Sequence, residues 1–145
     1  MFIGQLHSPL DRKNRLTLPP RYKGKFSGSV YVTQGFDRNL MLLPGGVFRE
    51  ILDSLRGMNI ADPVARLLFR MILGSATQLT PDTKDGLAIP KELIEFAGIE
   101  REVVLVGQGD YLEVWSPGGW QEQEISLSNV EANSHRFASL TICTG

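Results

Sequence analysis

An internal repeat constrains this chain more than any other feature of its sequence. Asp11-Arg-Lys-Asn-Arg-Leu-Thr-Leu-Pro19 aligns with Asp82-Thr-Lys-Asp-Gly-Leu-Ala-Ile-Pro90, 71 residues later. Both read Asp-x-Lys-x-x-Leu-x-aliphatic-Pro. The match continues at an offset of 72: residues 30–35 fall on 102–107, Leu40 to Leu43 on Leu112 to Trp115, and Phe48 on Trp120. An ordered series at a near-constant offset marks two copies of one structural unit, at 5–47 and 76–120. A helical connector spans 48–75, and a tail spans 121–145.

Each copy reads as short strands joined by tight turns. A strand near 5–10, or 77–81, meets a turn at Lys13-Asn14 or Lys84-Asp85-Gly86. Asn, and above all Asp-Gly, tolerate the positive φ that hairpin turns demand. A second strand follows, with Leu16 and Leu18, or Leu87 and Ile89, on one face at period two. Pro19 and Pro90 end these strands and are placed to open short helical turns. Two further strands follow in each copy, 29–34 with 39–43 and 102–107 with 111–115. A four-stranded unit this small barely buries a core. The expectation is therefore two interlocked copies sharing one core: a mainly β protein with helices (α+β), closed as a pseudo-twofold β-barrel.

The connector is helical. Val47, Phe48, Ile51, Leu52 and Leu55 recur at helical spacing. Asp62-Pro63 supplies an N-cap followed by proline at the first helical position. Val64, Leu67, Leu68, Met71 and Ile72 extend a stripe that Gly74 ends. That stripe suits core packing, and equally a subunit interface, because Phe69 and Leu73 widen the apolar arc. After Trp120 the repeat fades, and Ile125, Leu127, Val130, Phe137, Leu140 and Ile142 are widely spaced. The expectation for the tail is a helical or loosely attached segment that folding does not need.

Charge sharpens the picture. The net charge of −1 is unremarkable for a 145-residue chain, but its distribution is not. Residues 1–75 hold 11 Lys/Arg against 5 Asp/Glu, and residues 76–145 hold 4 against 11. The halves are thus +6 and −7. Arg12, Lys13, Arg15, Arg21, Lys23 and Lys25 crowd into 14 positions. A hydrophobic fraction of 42% excludes a disordered chain. No apolar run is long enough for a membrane helix or a signal-peptide core, which favours a cytoplasmic protein without membrane association. The single Cys143 allows no intrachain disulfide.

The motifs resemble the MraZ family. Besides the paired Asp-to-Pro segments, the resemblance rests on Met1-Phe-x-Gly4, Gly35-Phe-Asp37, Asp62-Pro63-x-Ala-Arg66, Leu73-Gly74, Ala97-Gly98 and Glu102-Val-Val-Leu-Val-Gly107. It covers about residues 1–120. It implies tandem SpoVT-AbrB-type halves in one swapped-hairpin β-barrel, a ring-like homo-oligomer, and a nucleoid-associated transcriptional regulator. The implied partner is double-stranded DNA, at short direct repeats in the promoter of the division and cell-wall gene cluster that contains the regulator's own gene. The family's DNA-facing Asp-x-x-x-Arg motif falls on Asp11 and Arg15. In the second copy Asp82 is kept, but Gly86 replaces the arginine.

Residue chemistry points the same way. Arginine offers a rigid fork of donors that suits guanine edges and phosphates. A two-stranded ribbon fits the major groove. Arg12, Lys13, Asn14 and Arg15 are the candidate DNA-binding residues, with Asp11 orienting Arg15; the alternative for Asp11 and Arg15 is a purely local ion pair. Asn14 suits a turn residue better than a base reader. Arg21, Lys23 and Lys25 are candidate phosphate contacts, with solvated surface roles the equal alternative. An enzyme is not expected. Gly107-x-Gly109 lacks the third glycine of a dinucleotide loop, and His7, His135 and Cys143 form no metal-ligand cluster, so no cofactor or metal is implied. The other reading is an oligomeric scaffold without specific DNA binding, which does not require Arg12-Lys13-Asn14-Arg15 on an exposed turn.

Overall fold

The computed structural model describes residues 1–26 and 28–143. In chain order it contains β1 (Gln5–Pro9), β2 (Arg15–Thr17), β3 (Val30–Gln34), β4 (Leu40–Pro44), α1 (Gly45–Arg56) and α2 (Pro63–Ser75). The second copy supplies β5 (Thr77–Leu79), β6 (Gly86–Ala88), α3 (Lys91–Phe96), β7 (Glu102–Gly107), β8 (Leu112–Trp115), α4 (Pro117–Ser128) and α5 (Val130–Phe137). A 3-10 turn at Pro20–Tyr22 stands where α3 stands in the second copy. Proline opens both, as its fixed φ and missing N–H favour.

All strand pairs among the described residues are antiparallel, and four of them, β1 with β7, β2 with β6, β3 with β5 and β4 with β8, join one copy to the other. The main sheet has six strands in the order β1-β7-β8-β4-β3-β5. β1 lies on β7 and β5 lies on β3, so each copy's first strand completes the other copy's strand pair. β2 and β6 form a separate two-stranded ribbon. The copies therefore interlock and cannot be two independent beads.

The sheet is open, which corrects the expected closed barrel. β1 and β5 are its two edges. The ribbon is too short to bridge them, because Pro19 and Pro90 follow its three-residue strands closely. A single bridge, Leu10 with Leu16, connects β1's end to β2. The position equivalent to Leu10 in the second copy is Pro81, which has no N–H to extend the ladder. The strands on either side of each turn thus find their main partners in the other copy rather than in each other.

Alternation assigns the faces. Val30, Val32, Leu40, Leu42, Val103, Leu105, Leu112 and Val114 are buried on the face that the ribbon and α3 cover. Leu16 and Leu87 lie directly opposite each other in the ribbon and are fully buried in the same cluster. Val104, Val106, Trp115 and Trp120 form a second cluster on the other face, under α4. On that face Tyr31 stacks on Phe48 of α1, and the Thr33 hydroxyl donates to the Ile72 carbonyl of α2 at 2.6 Å. α1, α2 and α4 therefore share one face. Gly107 follows the same logic: its N–H donates to the Gly4 carbonyl at 2.8 Å, and a Cβ there would meet the backbone of residues 2 and 3. It serves close packing rather than a phosphate loop.

The tail is helical, as α4 and α5. Beyond Trp120 no described residue is buried. No helix among the described residues is long and apolar enough to cross a membrane.

Candidate nucleic-acid interface

The two turns are built alike. In the first, Asp11 Oδ1 accepts the N–H groups of Lys13 at 2.8 Å and Arg15 at 2.9 Å. In the second, Asp82 Oδ1 accepts those of Lys84 and Gly86, both at 2.8 Å. A short carboxylate bonding its own backbone a few residues on is what favours aspartate at such turns. Asn14 (φ 57°) and Asp85 (φ 59°) take the left-handed conformation at equivalent places. Gly86 does not, so it is not kept for backbone freedom. The turns also clasp each other: the Ile89 N–H donates to the Asn14 carbonyl at 3.1 Å, and the Leu18 N–H to the Asp85 carbonyl at 3.0 Å.

Arg15 sits where the turns meet. It pairs with Ala88 in the ribbon, and alternation points it away from the buried Leu16. Its Nε donates to Asp11 Oδ2 at 2.8 Å, and its Nη1 lies 3.6 Å from Asp82 Oδ2. One arginine is thus bracketed by the carboxylates of both copies. Nη2 has no hydrogen-bond partner among the described residues. Gly86 makes room for this arrangement, because a Cβ there would stand 2.6 Å from Asp82 Oδ2. Asp11, Arg15, Thr17, Asp82, Lys84 and Gly86 line an open cleft of about 290 Å³.

The charges respond accordingly. Backbone and then side-chain hydrogen bonds from Arg15 hold the Asp11 carboxyl down at about 2. The N–H groups of Gly86 and Lys84 lower Asp82. The hydrogen bond to Asp11 raises Arg15.

The other predicted residues divide. Arg12 and Lys13 are exposed on the first turn with no acidic partner within 4.0 Å among the described residues. Arg12 and Asn14 border a cleft with Glu100 and Arg101, so Arg101 of the second copy joins this surface. Arg21 lies over the Tyr22 ring at 5.1 Å. Lys25 approaches the terminal amine of Met1 and depresses its pKa. Lys23 reaches the second turn, where Nζ stands 3.0 Å from Asp85 Oδ2.

Sequence reasoning missed the contacts of Arg15 with Asp82 and of Lys23 with Asp85. They change the reading of the second turn: both of its acids are offset by cations of the first copy. The internal repeat held the signal, since pairing β2 with β6 brings the two Asp-bearing turns together.

The internal repeat that builds the two turns is matched in comparison with known proteins. The profile of the family described as "MraZ protein, putative antitoxin-like" matches residues 1–71 and again 72–140. The chain belongs to the MraZ family. The MraZ match continues past Trp120, where the internal repeat fades, and takes in α4 and α5. Among MraZ relatives, the "Transcriptional regulator MraZ" of Thermomicrobium roseum is 35% identical, over 97% of this chain and 99% of its own length. The protein of the same name from Roseiflexus castenholzii is 36% identical, over 95% and 94%. That of Clavibacter michiganensis subsp. michiganensis is 37% identical, over 95% and 92%.

Proposed function

We propose that this protein is a DNA-binding transcriptional regulator that reads duplex DNA with the ribbon end carrying Arg15. The observation that carries this reading is a single arginine bracketed by two carboxylates on an exposed turn, with Nη2 free of hydrogen-bond partners among the described residues. Fixing the guanidinium in advance lowers the ordering cost of a bidentate contact to a base edge or phosphate. Arg12 and Lys13 flank it, without an acidic partner among the described residues, and supply sequence-independent attraction to phosphates. Asp11 orients Arg15 and shapes the turn. Asn14 serves the turn through its left-handed backbone. The names of the relatives support the regulatory role.

The finer reading is a ring-like homo-oligomer in the cytoplasm, associated with the nucleoid. It engages short direct repeats in the promoter of the division and cell-wall gene cluster that includes its own gene. Exposed apolar side chains on α2 support self-association: Val64 is 72% exposed and Leu67 66%. Light scattering should give several times the 16.1 kDa chain mass.

The deciding experiment is a mobility-shift titration on DNA from upstream of the protein's own gene. Arg15→Ala should abolish the specific shift and leave melting temperature and oligomer mass unchanged. Undiminished binding by that variant would remove the ribbon end from the interface. If the parent protein also failed to stay on duplex DNA as salt is raised, the scaffold reading would replace this one.

A further inference from the structure

We infer that neighbouring copies join head to tail, with the apolar groove of α2 on one copy receiving α5 and the residues after it from the next. The inference rests on the proposed oligomer and adds which two surfaces meet.

Two apolar surfaces lack a partner among the described residues. The first is an open groove of about 570 Å³ on α2, lined by Val64, Leu67, Leu68 and Met71 with Arg70 at its side. α2 buries only Ala65 and Ile72. The second is α5, which buries none of its residues. Val130 and Phe137 stand seven positions apart on one face of α5 and are exposed, as is Leu140 beyond it. An isolated helix of eight residues is marginal in water, so α5 needs a packing surface to persist.

Charge and position match them to each other. α2 carries Arg66 and Arg70 and no acid, whereas α4 and α5 carry Glu122, Glu124 and Glu131 against Arg136. Within one copy they do not cover each other, since Val64 and Leu67 of α2 and Val130 and Phe137 of α5 all stay exposed. α2 packs on β3, next to the edge strand β5, and α4 packs on β7, next to the edge strand β1. β3 and β7 are three strand spacings apart, roughly 14 Å. A ridge at one end and a groove at the other define a heterologous contact, which propagates from copy to copy and closes into a ring when the rotation allows.

A mixing experiment tests this with the full chain. Leu67→Asp should spoil the groove only, and Val130→Asp with Phe137→Asp should spoil the ridge only. All three positions are exposed within one copy, so each variant should still melt cooperatively, losing only the stability that assembly adds. Each variant alone should sediment as a monomer. Mixed in equal amounts they retain one intact groove–ridge pair, so the mixture should sediment as a dimer of twice the chain mass. If either variant alone keeps the parent's mass, or the mixture stays monomeric while the parent assembles, this interface is wrong and the oligomer stands. A monomeric parent would overturn the oligomer itself.

Discussion

At the scale of single residues, the Asp-x-x-x-Arg motif is one local device used in two ways. Both aspartates cap their own turn, but only the first also holds an arginine of its own copy. Gly86 is the telling difference. Its φ is ordinary, and the space it leaves is filled by the Asp82 carboxylate reaching toward Arg15. The first turn carries an arginine at the equivalent position, with Asp11 still accepting its backbone N–H at 2.9 Å. Gly86→Arg should therefore fold and bind operator DNA more tightly, with a salt dependence steeper by about one phosphate contact. Lys84→Ala should change affinity little; a titration of the three proteins at two salt concentrations separates these outcomes. Asp11 gives a pH prediction. Its folded pKa of about 2 lies below its ordinary 3.8, so the capped turn is fully stabilised above 3.8 and loses that contribution as pH falls through about 2. Carboxyl-carbon NMR should place its midpoint near the lower value, and DNA binding should show no Asp11 titration near neutrality. In Arg15→Ala the midpoint should rise only part of the way, because the backbone N–H at position 15 remains. The role of Asp11 in the turn was legible from its type and spacing. The reach of Arg15 to Asp82 was not, because it depends on which strand β2 pairs with.

At the scale of elements, the ribbon of β2 and β6 positions the candidate site, and its anchors are Leu16 and Leu87. These face each other at full burial, beneath the outward Arg15. Leu87→Ala removes side-chain volume that neighbours can only partly refill, and should cost about 2–5 kcal/mol in urea unfolding. Because the ribbon carries Arg15, the same variant should bind DNA more weakly even where it remains folded. The helices were legible by their caps and stripes: Asp62 accepts the Val64 N–H at 2.9 Å and starts α2, as Asp-Pro predicted. Which side of α2 is covered was not legible, since the stripe is wider than the strip that β3 covers, and spacing alone does not say what meets the remainder.

At the scale of the whole molecule, the interlock makes the two copies one folding unit. β1 without β7, β5 without β3, and β2 without β6 are unpaired edges over half a core. Residues 1–75 and 76–145 expressed separately should each lack a cooperative melting transition. Mixed in equal amounts, they should recover one, together with the parent's circular dichroism spectrum. Two separate transitions from the isolated pieces would show beads rather than an interlock. The interlock also redistributes charge. The +6 and −7 halves of the sequence do not form two opposed lobes at the core, because strands of both halves are interleaved in one sheet; the imbalance survives in the helices, where α2 is basic and the tail acidic.

By itself, the sequence determined what is local: strand and helix positions, the turns, the buried face of each strand, the repeat and the family it resembles. Those follow from backbone preferences and from side-chain periods of 2 and 3.6, which act within a few residues. Only the tertiary structure decided the pairings, the open edge at Pro81, the shared arginine and the uncovered face of α2. A period of two tells which face of a strand is buried and nothing about which strand lies beside it. Partner choice is a competition among distant segments, settled by the packing of the whole core.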